Sequence, residues 1–183
     1  MVDKKQIMDF LKQYFDTTGE ITIDDEGLVS CKGNVELKEE LKHKRLPVSF
    51  DRIYGYFWCG NNQLETLAGT PRYVRGNFMC TNNQFTTLEG SLNRVGGDFW
   101  CFNNSSLRSL EGLPDISGTL RLSYSPTFPL LRCLLAKKVQ FYPNREDKTI
   151  ENILNQYAGQ GEAGAFACGA ELASAGYKEN AKW

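Results

Sequence analysis

The sequence predicts an α/β solenoid: short coils stacked into a curved parallel sheet, with a helix and hairpin at one end and helices at the other. Three observations carry this. Near-copies of one segment recur in phase, with Cys59, Cys80 and Cys101 evenly spaced 21 residues apart. Each copy holds one alternating apolar run, too short to bury its own face. Outside the copies, the apolar spacing becomes helical.

The elements follow in chain order. Asp3 is placed to N-cap a helix over 4–15, with Ile7, Phe10, Leu11, Tyr14 and Phe15 on one side. ITI at 21–23 and LVSC at 28–31 flank Asp25, Glu26 and Gly27, the pattern of a hairpin that covers a first sheet edge. GNVEL at 33–37 is a degraded first copy of the repeat, and GTLRLS at 118–123 a degraded last one.

The full copies read GYFWCGNNQLETLAG at 55–69, GNFMCTNNQFTTLEG at 76–90 and GDFWCFNNSSLRSLEG at 97–112. Phe57 and Cys59, Phe78 and Cys80, and Phe99 and Cys101 are expected to point inward. Strands are expected at 34–37, 56–59, 77–80, 98–101 and 119–122. Asn62, Asn83 and Asn104, three residues after each cysteine, are placed to satisfy backbone groups of the turn. Leu64 or Phe85, then Leu67 or Leu88, complete the inward set, and Leu107 and Leu110 do so after an inserted serine. This is the L-x-L-x-x-N-x-L-x-x-L skeleton of a leucine-rich-repeat-type solenoid, with a β-helix as the alternative. Gly69, Gly90 and Gly112, with Pro71 and Pro114, mark the return turns.

Pro126 and Pro129 end the pattern. LLRCLLAKK at 130–138 then reads as a short buried helix and VQFY at 139–142 as a strand. Helical spacing returns over 147–158 (Ile150, Ile153, Leu154, Tyr157) and 162–175 (Phe166, Ala170, Ala173). One continuous domain is expected: an N-terminal cap over 1–45, the solenoid over 46–128 and a C-terminal helical cap over 129–183.

Composition narrows the function. Lys plus Arg number 21 against 22 Asp plus Glu, and the net charge of −1 argues against coating nucleic acid or an anionic membrane. The N-terminal stretch does not read as a secretory signal and no apolar run is long enough to span a bilayer, so a soluble, intracellular protein is expected. The six cysteines form no C-x-x-C pair and His43 is the only histidine, so zinc spacings are absent and no metal site is expected. Buried free thiols are favoured over disulfides. GQGEAG at 159–164 matches G-x-G-x-x-G literally. A helix precedes it where a dinucleotide site needs a strand, so a helix–helix hinge is favoured and no cofactor is expected. His43 lies in a charged stretch, and no catalytic triad can be assembled around it. Glu65, Glu89 and Glu111 read as surface decoration. Asp24, Asp25 and Glu26 lack a full calcium loop.

If Phe and Cys point inward, Trp58, Met79, Trp100 and Arg121 form a column on the opposite face, about 4.8 Å apart. Gly60, Thr81, Phe102 and Ser123 form a second column, and Tyr56, Asn77, Asp98 and Thr119 a third. Exposed Trp, Met, Tyr and Arg are interface residues. Tyr56, Trp58, Met79, Asp98, Trp100, Phe102 and Arg121 are therefore the candidate partner-binding set, and Arg121 is placed to lie over Trp100 at the column's end. The competing reading is that a terminal segment of the chain covers this face.

The unit LETLAGTPRYVRGNFMCTNN resembles the short leucine-rich-repeat-like units of proteins encoded by tailed bacteriophages, in which an LxSLEGxPxxVGGxFxCxxN theme runs in tandem. The approach GNVELKEELKHKRLPVSFDRIYGYFWC is similar to that family's entry, with its L-P-V-x-F element. The ending ILNQYAGQGEAGAFACGAELASAGYKENAKW resembles its C-terminal segment. The likeness spans about residues 28–183. Ser91 and Leu92 depart from the common A-P, and the last coil has Ser125 near its missing asparagine. The resemblance implies a phage protein in the host bacterial cytoplasm that binds a host or defence protein; the charge balance, not the resemblance, speaks against nucleic acid or membrane as partner. A self-associating virion or assembly component, and a nucleotide-binding or enzymatic protein using the glycine-rich hinge, are the alternatives.

Overall fold

The computed structural model of the chain describes residues 3–38, 44–46 and 48–183. His43 and Pro47 of the L-P-V-x-F element lie outside them. The described residues form a mixed α/β protein: a parallel-rich β-solenoid of about five turns, plus helices.

The chain begins with helix α1 (Lys4–Tyr14), whose first turn is held by the Asp3 carboxylate accepting the Gln6 N–H. Leu11 is buried, while Ile7, Phe10 and Tyr14 pack against the core. Four short strands follow: β1 (Phe15–Thr17), β2 (Ile21–Ile23), β3 (Val29–Cys31) and β4 (Val35–Leu37). Each later coil supplies a pair: β5 (Phe50–Ile53) and β6 (Phe57–Trp58), β7 (Tyr73–Val74) and β8 (Phe78–Met79), β9 (Arg94–Val95) and β10 (Phe99–Trp100). The single long strand β11 (Asp115–Leu122) takes both places in the last coil. A 3-10 turn (Leu130–Leu135), β12 (Ala136–Phe141), α2 (Thr149–Tyr157) and α3 (Glu162–Ser174) complete the elements used below.

The expected strands are present, and a second parallel set accompanies them. The first sheet runs β4-β6-β8-β10-β11-β12, all parallel. The second runs β3-β5-β7-β9 and the first half of β11. The segments expected only to turn the chain back thus contain strands of their own. Their inward residues, Ile53, Val74, Val95 and Ile116, are buried in register. At the corner between the sheets backbones nearly touch. A Cβ on Gly76 would lie 2.7 Å from the Gly55 carbonyl oxygen, so only glycine fits there.

Phe57, Phe78 and Phe99 stack inside with centroids 5.5 and 5.4 Å apart, and Phe50 and Phe15 extend the row edge-on. All six cysteines are buried and free. Burial pushes the thiols of Cys59, Cys80 and Cys133 well above their ordinary range, with neighbouring thiols adding to it.

The turns are held by two asparagine ladders. Asn83 Oδ1 accepts the N–H groups of Asn62 (3.2 Å) and Leu64 (2.8 Å), and its Nδ2 donates to the Cys59 and Cys80 carbonyls. One coil on, Asn104 accepts the Asn83 N–H and donates to the Cys80 and Cys101 carbonyls. The preceding Asn61, Asn82 and Asn103 take positive φ, and their amides bond side chain to side chain on the surface.

Both ends of the solenoid are paired. Strand β1 adds antiparallel to β4, and β2 antiparallel to β3. At the other end β12 would present a bare edge. Helix α2 meets it with side chains: Asn155 accepts from Val139 N–H and donates to its carbonyl, and buried Glu151 accepts from Phe141 N–H. Strand β12 starts at Ala136, inside the span expected to be helical, because Ala136 pairs with Ile116. Asn180, buried near the C-terminus, donates to the carbonyls of Ser125 and Phe128, in the coil that lacks its own asparagine.

One apolar expectation is corrected. Phe166 does not pack on the last coil; it is 90% exposed, and Ala170 and Ala173 are exposed with it. Helix α3 turns Gly164, Cys168, Gly169 and Leu172 inward instead, because the small residues let it lie close to the 3-10 turn.

Candidate partner-binding face

Alternation along each strand sets the face. With Phe57, Phe78 and Phe99 inward, Trp58, Met79, Trp100 and Arg121 stand outward in register on four adjacent strands. The column is longer than expected: Glu36 precedes Trp58, and Gln140 on β12 follows Arg121, which is therefore not at its end. All four residues are half-buried. The indole of Trp58 lies across Gly60, where a Cβ would come within 2.8 Å of its Nε1.

Arg121 is committed within the face. Its guanidinium carbon lies 5.1 Å from the Trp100 ring centroid, its Nη1 bonds Asp98 and its Nε donates to Gln140. Its donor fork is thus largely occupied within the face. Burial raises the pKa of Asp98, but the Thr119 N–H and Arg121 outweigh it, so the carboxyl sits below its usual value. Trp100 Nε1 is buried facing the Asp98 carboxylate, whose pKa it helps to lower, but in a geometry short of a full hydrogen bond.

The flanking columns differ from one another. Asn34, Asn77 and Asp98 each accept the backbone N–H of the residue one coil on, at Tyr56, Asp98 and Thr119, so this column ties strands together. The Tyr56 hydroxyl donates to Glu36, which holds the phenol above its ordinary pKa. On the other flank, Gly60 and Thr81 are buried rather than outward, because the chain is already turning into the asparagine ladder there. Phe102 remains half-buried and packs on Tyr142, 4.2 Å between centroids.

The structure therefore brings Tyr56, Trp58, Met79, Asp98, Trp100, Phe102 and Arg121 onto one face. Sequence reasoning missed Glu36, Gln140 and Tyr142. Aligning GNVEL on the later copies places Glu36 opposite Trp58, so that signal was present; Gln140 and Tyr142 lie outside the repeat and carry none.

The other chemistry-bearing features are occupied locally. The Gly159 N–H donates to the Leu134 and Ala136 carbonyls and the Gly161 N–H to Leu134, so these glycines hold the α2–α3 loop to the core. Asp24 accepts the N–H groups of Glu26 and Leu28, and Asp25 pairs with Lys4. Among the described residues no group of three or more His, Cys, Asp or Glu is placed to hold a metal ion. Comparison with protein-family models, curated proteins and solved structures finds no match.

Proposed function

We propose that this chain is a non-catalytic protein-binding module that docks its partner on the first sheet, around Trp58, Met79 and Trp100. The in-register column of these three half-buried side chains is the observation that carries the reading: three large apolar groups adjoin on one surface with only Arg121 laid over its edge. The buried asparagine ladder favours a leucine-rich-repeat-type coil, and antiparallel β1 and β2 favour an N-terminal cap. The phage setting, a host or defence protein as the partner and the bacterial cytoplasm as the location rest on the sequence resemblance alone.

The test is capture from bacterial lysate on immobilised protein, with Trp58→Ala/Trp100→Ala as the matched control. The reading predicts a partner retained by the wild type and lost by the folded variant. Equal retention by both would reject it.

Helix α3 favours a second reading, a component that self-associates. Phe166 stands out beside a groove lined by Leu131, Ala165, Gly169, Ala170 and Ala181, an apolar knob next to an apolar hole on one surface. A concentration-dependent mass by light scattering, abolished by Phe166→Asp, would support it; a constant monomer would exclude it.

A further inference from the structure

The outward side of the second sheet has a chemistry of its own. Arg52, Tyr73 and Arg94 stand in register on β5, β7 and β9. Beside them, Tyr54 and Arg75 leave the same strands one coil apart, and Arg72 leads into β7. The four arginines are exposed, as is Tyr54, while Tyr73 is half-buried beneath Arg52, whose guanidinium carbon is 5.9 Å from its ring centroid. Asp51, 3.5 Å from Arg52, and Asp115, in register after Arg94, share this surface, and at its rim beside Tyr54 Lys32 and Glu20 neutralise each other. With four arginines against these carboxylates the face is locally basic, on a chain whose net charge is −1. Net charge, which argued against nucleic acid, averages over surfaces that the fold separates.

We propose that this arginine–tyrosine face binds single-stranded nucleic acid. Cations and rings alternate across it, with neighbouring strands about 4.8 Å apart. Guanidinium forks meet phosphate oxygens in pairs; the exposed Tyr54 ring, and the Tyr73 ring once phosphate draws Arg52 off it, offer planes on which bases stack. An acidic peptide would use the arginines and leave the rings idle. A duplex keeps its bases stacked inside and presents only phosphates to a flat sheet. Three or four phosphates fit the number of arginines, which sets a weak, salt-sensitive affinity.

The experiment is fluorescence anisotropy of the full chain with labelled twelve-nucleotide oligo-dT and oligo-U, a duplex of equal length and a poly-glutamate peptide. Single strands are expected to bind best. Affinity should fall roughly twenty- to fifty-fold between 50 and 200 mM salt, from a slope of about −0.7 per phosphate. R72E/R75E should weaken binding at least ten-fold, and R52Q/R94Q serves if that variant fails to fold. Tyr73→Leu should weaken single strands several-fold and leave the duplex unchanged. Trp58→Ala/Trp100→Ala should bind as the wild type does, which separates this inference from the protein-docking reading. No single-strand binding at 50 mM salt, equal or tighter binding of duplex or peptide, or indifference to the arginine changes would overturn it.

Discussion

Each middle coil lends one strand to the first sheet and one to the second, so the two share a period, a curvature and a core. Inward, both follow one rule: Phe57, Phe78 and Phe99 on the first, Ile53, Val74 and Val95 on the second, all fully buried. Outward they part. The first sheet carries Trp58, Met79 and Trp100 with a tied-down arginine, and the second carries Arg52, Tyr73 and Arg94 with the Arg52 guanidinium over a ring. A stacked coil fixes its backbone with inward residues and turn ladders, which leaves each outward column able to acquire a separate chemistry.

What the two sheets share is broken most severely at the turn ladder. Asn83→Ala leaves the Asn62 and Leu64 N–H groups without their side-chain acceptor and the Cys59 carbonyl without the Asn83 amide, while the Cys80 carbonyl keeps Asn104. A loss of about 2–4 kcal/mol is expected in urea unfolding, as several buried groups lose a hydrogen bond together. Both faces should suffer, because the turn joins coils rather than faces.

Asp98→Ala sharpens the comparison, since it touches the first sheet alone. It removes the acceptor for Thr119 N–H and the partner of Arg121, with an expected cost of about 1–2 kcal/mol at pH 7. The folded carboxyl has a lowered pKa, so its contribution is complete above the ordinary aspartate range and fades as pH falls through the lowered value. The difference from wild type in urea should therefore shrink at pH 3. A difference that grows on acidification would contradict the assignment.

The smallest effect is a control outside both faces. Asp147 accepts hydrogen bonds from Thr149 and from the Tyr177 hydroxyl, which lower its pKa to about 2. Its carboxyl should titrate near that value by NMR, with Tyr177 released only below it, since stability linked to a lowered pKa is lost on the acid side. Tyr177→Phe should raise the midpoint toward the ordinary aspartate value.

The legible parts of the sequence were those in which one residue type repeats for one physical reason. Phe57, Phe78 and Phe99 announce their column because an inward position tolerates little change, and the asparagines announce the turn because only a short amide reaches its backbone groups. The second sheet was hidden: β7 and β9 are only two residues long and its outward column reads Arg, Tyr, Arg, Asp, so no single residue type marks every coil. The candidate face was half legible. Alternation gave Trp58 and Trp100 their direction, but the occupied fork of Arg121 depends on Gln140, which comes from outside the repeat. Phe166 was misplaced because α3 is apolar on two sides, and spacing cannot say which one packs. Asn180 reaches a coil 55 residues earlier, and nothing local marks it.

The central claim is that neighbouring residues on the same short strands divide the work, one for the fold and the next for a partner. Comparing the unfolding free energies of Phe57→Ala/Phe99→Ala and Trp58→Ala/Trp100→Ala tests it most directly. The phenylalanine pair should lose more than about 6 kcal/mol, twice the usual cost of a buried Phe→Ala change, or fail to fold. The tryptophan pair should lose no more than about 2 kcal/mol and keep a cooperative transition. Comparable losses in the two would make the tryptophan column part of the core's cover and contradict the account.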